Sequence, residues 1–268
     1  MGAKSDGERV WAGELPFRLT IARAAEHVCL ARGESPPDFL SPREEELLAR
    51  LRFPDRRRKW LLGRWAAKRL LREALREERG GELSNGQITV ANDPMGAPYA
   101  EVESDGPPSR VPWTLSLSHR ADVALAVLSR APGVTMGADL ELVQPRDPAL
   151  VRDFFTDAEA AAVELAAGRE ADLVVARTWS AKEAVLKALA LGLRLDTRRI
   201  EVRDLPADVP GGPSEAAASP SGDPRFHRIY VALDAPAEPA LPDPTVVWRD
   251  DGAWVLTVAW LDPASPRG

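Results

Sequence analysis

Cysteine is almost absent from this chain. Cys29 is the one thiol in 268 residues, and histidine is confined to His27, His119 and His227. An internal disulfide is therefore impossible, and a Cys/His zinc site cannot be assembled from this set. Long apolar runs are missing too. The longest, Val123 to Leu128, falls far short of the roughly 20 residues a membrane-spanning helix needs. Asp6, Glu8 and Glu14 stand where a signal peptide requires an apolar core. Asp6 also occupies the position where a myristoylation start has Ser or Thr. No G-x-S-x-G elbow, P-loop or G-x-G-x-x-G fingerprint occurs, which removes the usual signatures of serine hydrolases and nucleotide-binding loops. These absences create the expectation of a soluble, cytoplasmic protein without a membrane segment.

What is present is charge, unevenly spread. The chain carries 35 basic and 41 acidic residues, a net charge of −6. Residues 50–79 hold twelve basic and four acidic side chains, a local +8 that leaves −14 on the rest. Such a run suits either a solvated helix face or a docking site for an anion: nucleic acid, polyphosphate or an acidic protein.

The chain also repeats itself. Trp65-Ala-Ala-Lys68, followed by Ala74-Leu75, returns 114 residues later as Trp179-Ser-Ala-Lys182 and Ala188-Leu189. Phe39-Leu-Ser-Pro-Arg-Glu44 matches Phe154-Phe-Thr-Asp-Ala-Glu159, Leu19-Thr-Ile matches Val134-Thr-Met, and Glu26 matches Glu141, all at an offset of 115. Three blocks in one order at nearly one offset predict two halves of duplicated design, about 1–133 and 134–268. Ser41 and Thr156 each precede a Glu by three residues, the capping-box pattern of a helix start. Helical periodicity follows at 55–79 and 172–191. Strand patterns follow at 87–90, 113–118 and 122–128 in the first half, and at 200–203, 225–233, 245–249 and 253–260 in the second. The expected class is α+β, twice over. The Pro-, Gly- and Ser-rich stretch 206–224 reads as a disordered loop, and 236–244 as a hairpin connection.

Gly137-Ala-Asp-Leu-Glu141 has a strand pattern. Alternation sends Asp139 and Glu141 to one face, and Ala138 and Leu140 to the other, expected to be the core face. On the later helix, Glu183 and Lys187 are i,i+4 neighbours, beside an apolar stripe of Ala181, Ala184, Val185 and Ala188. Taken singly, these are an acidic strand end and an ordinary helix ion pair. Together, three carboxylates without Cys or His partners suit a hard, oxygen-seeking cation such as Mg²⁺. His119, next to Arg120, reads as an anion contact rather than a general base.

The ordered set Gly137-Ala-Asp-Leu-Glu141, Phe155-Thr-x-x-Glu159 and Trp179-Ser-Ala-Lys-Glu-Ala184 with Lys187 resembles the 4′-phosphopantetheinyl transferase superfamily. Upstream, Gly63-Arg64, Gly96-Ala-Pro98 and Ser116-Leu-Ser-His119 resemble motifs of its long, pseudo-dimeric class, which activates fatty acid, polyketide and nonribosomal peptide synthases. The resemblance runs from about residue 50 to 192. It implies two similar α+β halves, with coenzyme A and Mg²⁺ bound in the cleft between them. It implies Asp139, Glu141 and Glu183 as metal ligands, with Lys182 and Lys187 near the pyrophosphate. Ser118, His119, Arg56 and Arg64 become contacts to coenzyme A phosphates. The implied reaction is Mg²⁺-dependent transfer of phosphopantetheine to a carrier-protein serine, releasing 3′,5′-ADP, a holo-acyl-carrier-protein synthase activity. Glu183 is then the base, directly or through a water, and Lys187 steadies developing phosphate charge. The expected partners are coenzyme A and a carrier protein, with no nucleic acid or membrane, and the chain is expected to be a monomer. Ala97 departs from the family's usual Lys or Arg, and Arg120 is the candidate substitute. Two other readings stand beside this one: a Mg²⁺-dependent phosphodiester hydrolase using the same acids, and a non-catalytic polyanion binder.

Overall fold

The computed structural model describes residues 9–10, 15–103, 106–191, 194–203, 226–234 and 243–262. The stretch read as a disordered loop, 206–224, lies outside the described residues, as does 236–242 of the second Pro-rich run. The fold is mixed α/β, and its contacts gather into two units, one running to Pro132 and the other beginning at Gly133.

The first unit is organised by one long helix. Short helices α1 (Val28–Arg32) and α2 (Pro42–Arg50) precede α3 (Pro54–Arg79). Pro54 opens α3, where its missing N–H costs nothing, and Gly80 closes it in the left-handed region at φ 73°. Leu61, Leu62, Ala66, Ala67, Leu70, Leu71, Ala74 and Leu75 form its buried stripe, which lies on strands β2 (Arg18–Arg23) and β7 (Val123–Ser129). Those strands belong to an antiparallel sheet of order β1-β2-β7-β6, with β1 at Arg9–Val10 and β6 at Thr114–Arg120. A separate three-stranded sheet is made of β3 (Ile88–Asn92), β4 (Pro98–Val102) and β5 (Ser109–Arg110).

In the second unit α4 (Pro148–Phe154), α5 (Asp157–Leu165) and α6 (Arg169–Ala188) accompany a single five-stranded antiparallel sheet. Its order is β8 (Thr135–Leu142), β12 (Trp254–Leu261), β11 (Thr245–Asp250), β10 (His227–Leu233), β9 (Ile200–Arg203). Small residues bring α6 onto β8. Gly137 and its partner Ala259 face the helix, and a Cβ at Gly137 would run into the Ala184 carbonyl and stand 2.5 Å from the Ala188 nitrogen. Helix and strand run antiparallel, since Gly137 meets the last turns of α6 while Val143 packs beside Leu173 and Ala176 near its start.

One arrangement recurs in both units. Ser41 caps α2 and Glu44 completes the capping box; Thr156 and Glu159 do the same for α5. Each glutamate is buried and receives more than the cap. Glu44 accepts the backbone N–H of Val90 at 2.9 Å and pairs with Lys68, and Glu159 accepts that of Val202 at 2.7 Å and pairs with Lys182. Lys68 also donates to the carbonyls of Phe39 and Asn85, and Lys182 to those of Thr197 and Ile200. Trp65 lies 5.2 Å from Phe39, and Trp179 lies 5.2 Å from Phe154. A short helix, a long helix and a strand are thus tied by one buried ion pair in each unit. The sheets themselves are not strand-for-strand alike, since the first unit divides its strands between two sheets.

Candidate functional site

In the second unit the acids of β8 lie on the helix-facing side of the strand. Asp139 and Glu141 are 5% and 7% exposed, buried nearly as fully as Ala138 and Leu140 on the other face. Ala138 and Leu140 are buried as expected, and the acidic face is buried as well, because α6 covers it. Lys187 reaches back from the last turn of α6 to Asp139 Oδ1 at 2.7 Å, and to the Ala138 carbonyl at 3.0 Å. Glu141 pairs closely with Arg146, which follows β8. Glu183, half-buried on α6, completes the group. Burial pushes its carboxyl above the usual glutamate range; Lys187 pulls it back, while Asp139 and Glu141 push it up further. The sequence-derived set Asp139, Glu141, Glu183 and Lys187 is therefore brought into one electrostatic neighbourhood.

Among the described residues, no three acidic, histidine or cysteine side chains stand close enough together to hold a metal as they are. Lys187 pairs with Asp139, and Arg146 with Glu141. The donor set still fits a hard divalent cation, since it offers three carboxylates and neither nitrogen nor sulfur. The raised carboxyl of Glu183 reflects burial first, with Asp139 and Glu141 adding to it.

Lys182 corrects the expectation of a phosphate contact. Its side chain is wholly buried and spent on Glu159 and two backbone carbonyls. Burial pulls its ammonium below the usual lysine range, and Glu159 opposes that shift. No surface remains for a ligand.

The other sequence-derived contacts meet in the first unit. A cavity of about 410 Å³ is lined by Arg56, Arg64, Ser118 and His119, together with Gly63, Gly96 and Pro98 of the motifs. Helix α3 supplies one wall and the end of β6 another. Arg64 is 7% exposed, stacks 4.1 Å from Trp60, and donates to Asn92 Oδ1 at 3.1 Å. Burial lowers its pKa to about 10, against the pull of Glu44. Its Nε is buried without a hydrogen-bond partner, and such a donor stabilises a bound anion more than it stabilises the fold. A Cβ on Gly63 would meet nothing within 4 Å, so this stretch of the wall is backbone.

Lys59, Trp60 and Asn92 also line the cavity and were not singled out from sequence. Residues 56, 60, 63 and 64 fall on one helix face by their spacing, a signal hidden beneath the charge count of the basic run. Nothing in the pattern marks Asn92. Arg120 is not among the lining residues; the cations that line the cavity, Arg56, Lys59 and Arg64, all come from α3. The run 50–79 is not a uniform positive face. Arg57 is tied to the carbonyls of Leu48 and Leu51, Arg69 pairs with Glu26, Lys59 pairs with Asp55, and Lys68 is buried. No helix among the described residues is long and apolar enough to cross a membrane.

No curated protein matches the chain. Residues 135–219, which include Asp139, Glu141, Glu183 and Lys187, match the family model of the 4′-phosphopantetheinyl transferase superfamily. Over that segment, within the second unit, the chain is similar to the 4′-phosphopantetheinyl transferase superfamily.

Proposed function

We propose that this protein transfers the 4′-phosphopantetheine group of coenzyme A to a serine hydroxyl of a carrier protein, with 3′,5′-ADP as the leaving product. The observation that carries the reading is the neighbourhood of Asp139, Glu141, Glu183 and Lys187 inside the matched segment. The cavity holding Arg56, Arg64, Ser118 and His119 supports it as a place for phosphates. The recurring pairs Lys68–Glu44 and Lys182–Glu159 support a duplicated, pseudo-dimeric design.

In this reading the serine oxygen attacks the phosphorus that bears pantetheine. The bridging P–O bond breaks, and the serine proton passes to Glu183, directly or through a water. A carboxyl held above the usual range suits that role, because a base works best with a pKa nearer the working pH. Lys187, positioned by Asp139, neutralises charge gathering on the phosphate oxygens. Mg²⁺ held by Asp139, Glu141 and Glu183 would supply further charge neutralisation at the pyrophosphate. The aliphatic and aromatic wall around Trp60, with Arg64, orients the nucleotide end.

The direct test is mass spectrometry of several apo carrier proteins after incubation with coenzyme A and Mg²⁺. Gain of one phosphopantetheine is the expected result, and no gain on any carrier would reject the assignment. Asp139→Ala should lower the transfer rate about hundredfold or more while leaving the fold intact, as for other fixed charges at a reacting centre. Near-normal turnover in that variant would remove the ligand role of Asp139.

His119 carries a separate expectation. Charge-assisted hydrogen bonds to phosphate are worth roughly 1.5–3 kcal/mol. His119→Ala should weaken coenzyme A binding about ten- to hundredfold, with a smaller effect on turnover at saturation. Dephospho-coenzyme A, which lacks the 3′-phosphate, should bind the parent and the variant alike. Loss of turnover with both affinities unchanged would instead make His119 an acid or base.

A further inference from the structure

We infer that Arg146 is a built-in competitor for the divalent cation, holding Glu141 closed until the metal displaces it. This rests on the reading of Asp139, Glu141 and Glu183 as metal ligands. Arg146 lies in the connection between β8 and α4, five residues beyond the carboxylate it grips. The guanidinium donates to Glu141 Oε2 through Nη2, and both side chains are largely withdrawn from solvent, at 15% and 10% exposure. Water screens such a pair poorly, so its attraction is stronger than that of an exposed one. A carboxylate oxygen engaged by a guanidinium is not open to a hard cation. A metal that takes Oε2, alone or as part of a bidentate carboxylate, must therefore break this pair first.

The two cations at the acidic face are not equivalent. Lys187 is set on a buried helix and is held twice, by Asp139 and by the Ala138 carbonyl at 3.0 Å. Arg146 sits on a connection, and among the described residues its other hydrogen bond is a 3.4 Å contact to the Leu142 carbonyl. Little besides Glu141 holds it in place. Arg146 is thus the cation that can swing away, and its removal takes the guanidinium off Glu141 Oε2. The cost of displacement lowers metal affinity in the free protein by the differential stability of the two arrangements.

The test is Mn²⁺ binding to the full chain, read from the electron paramagnetic resonance signal of free Mn²⁺, without coenzyme A or a carrier protein. Arg146→Gln should bind Mn²⁺ at least tenfold more tightly than the parent. Arg146→Lys, which keeps a cation, should stay within a few-fold of it. Arg146→Met, which keeps the aliphatic volume, replaces the glutamine variant should that one fail to fold. If Asp139→Asn abolishes binding but Arg146→Gln and Arg146→Met bind no more tightly than the parent, the competitor role is overturned and the ligand assignment stands. If neither the parent nor Arg146→Gln binds Mn²⁺, or Asp139→Asn binds it as well as the parent does, the ligand assignment falls and the role of Arg146 falls with it.

Discussion

Gly137→Ala should destabilise the second unit by about 3 kcal/mol or more, the upper end of overpacking costs or beyond. Three groups face the missing Cβ: the Ala184 carbonyl, the Ala188 nitrogen at 2.5 Å and Lys187 Cβ at 2.7 Å. Two of the three are backbone atoms of a hydrogen-bonded helix, so no rotamer change can make room. Strand and helix would have to part, and the Ala181, Ala184, Val185 and Ala188 stripe would lose contact with the sheet. In thermal unfolding the expected fall is roughly 6–12 °C, taking about 2–4 °C per kcal/mol for a chain of this size. A shift under 2 °C would show that α6 can slide on β8 without penalty. Activity gives a second reading, because any separation also moves Glu183 and Lys187 away from Asp139.

Lys182→Met should cost about 3–5 kcal/mol, the range for removing one partner of a buried ion pair. The substitution strands the Glu159 carboxylate and leaves the carbonyls of Thr197 and Ile200 without the lysine that serves both. Glu159→Met should cost a similar amount, since the buried Lys182 then loses its counter-charge and the N–H groups of Thr156 and Val202 lose their acceptor. The double variant should lose clearly less than the two added together, because no unpaired charge remains. Denaturant unfolding of all four proteins closes the cycle, and strict additivity would contradict the buried pair. A phosphate-binding Lys182 would behave in the opposite way, with unchanged stability and weakened coenzyme A binding.

Much of this architecture was legible, for identifiable reasons. Ser41 and Thr156 announce their helices because capping is local chemistry written within four residues. Strands such as 200–203 and helix α3 follow from periodicity alone. The repeat at offsets of 114 and 115 carried more than it disclosed. It aligned Glu44 with Glu159 and Lys68 with Lys182, yet spacing does not say that residues 24 or 23 positions apart touch. Lys182 was misread for that reason: its place beside Glu183 in one motif says nothing about direction, and adjacent helix positions point about 100° apart. Arg146 was missed because it sits on a connection whose path no local pattern encodes, and Asn92 because nothing local marks the end of β3 as a cavity wall. Motif residues Gly63, Gly96, Ser118 and His119 proved to line one cavity, a tertiary fact that their separation along the chain hides.

Gly63 has a bearing on how such a pocket could diverge. Its wall position faces open space, while the opposite side of the same helix is packed core. Alanine is the better helix former by about 0.5–1 kcal/mol, so a side chain can be added here while the core stays as it is. The position works as an aperture set by omission: each added carbon narrows the chamber beside Arg64. Ligand selectivity and stability are therefore uncoupled at this one residue, and a lineage could retune what the pocket admits without first accumulating compensating changes elsewhere.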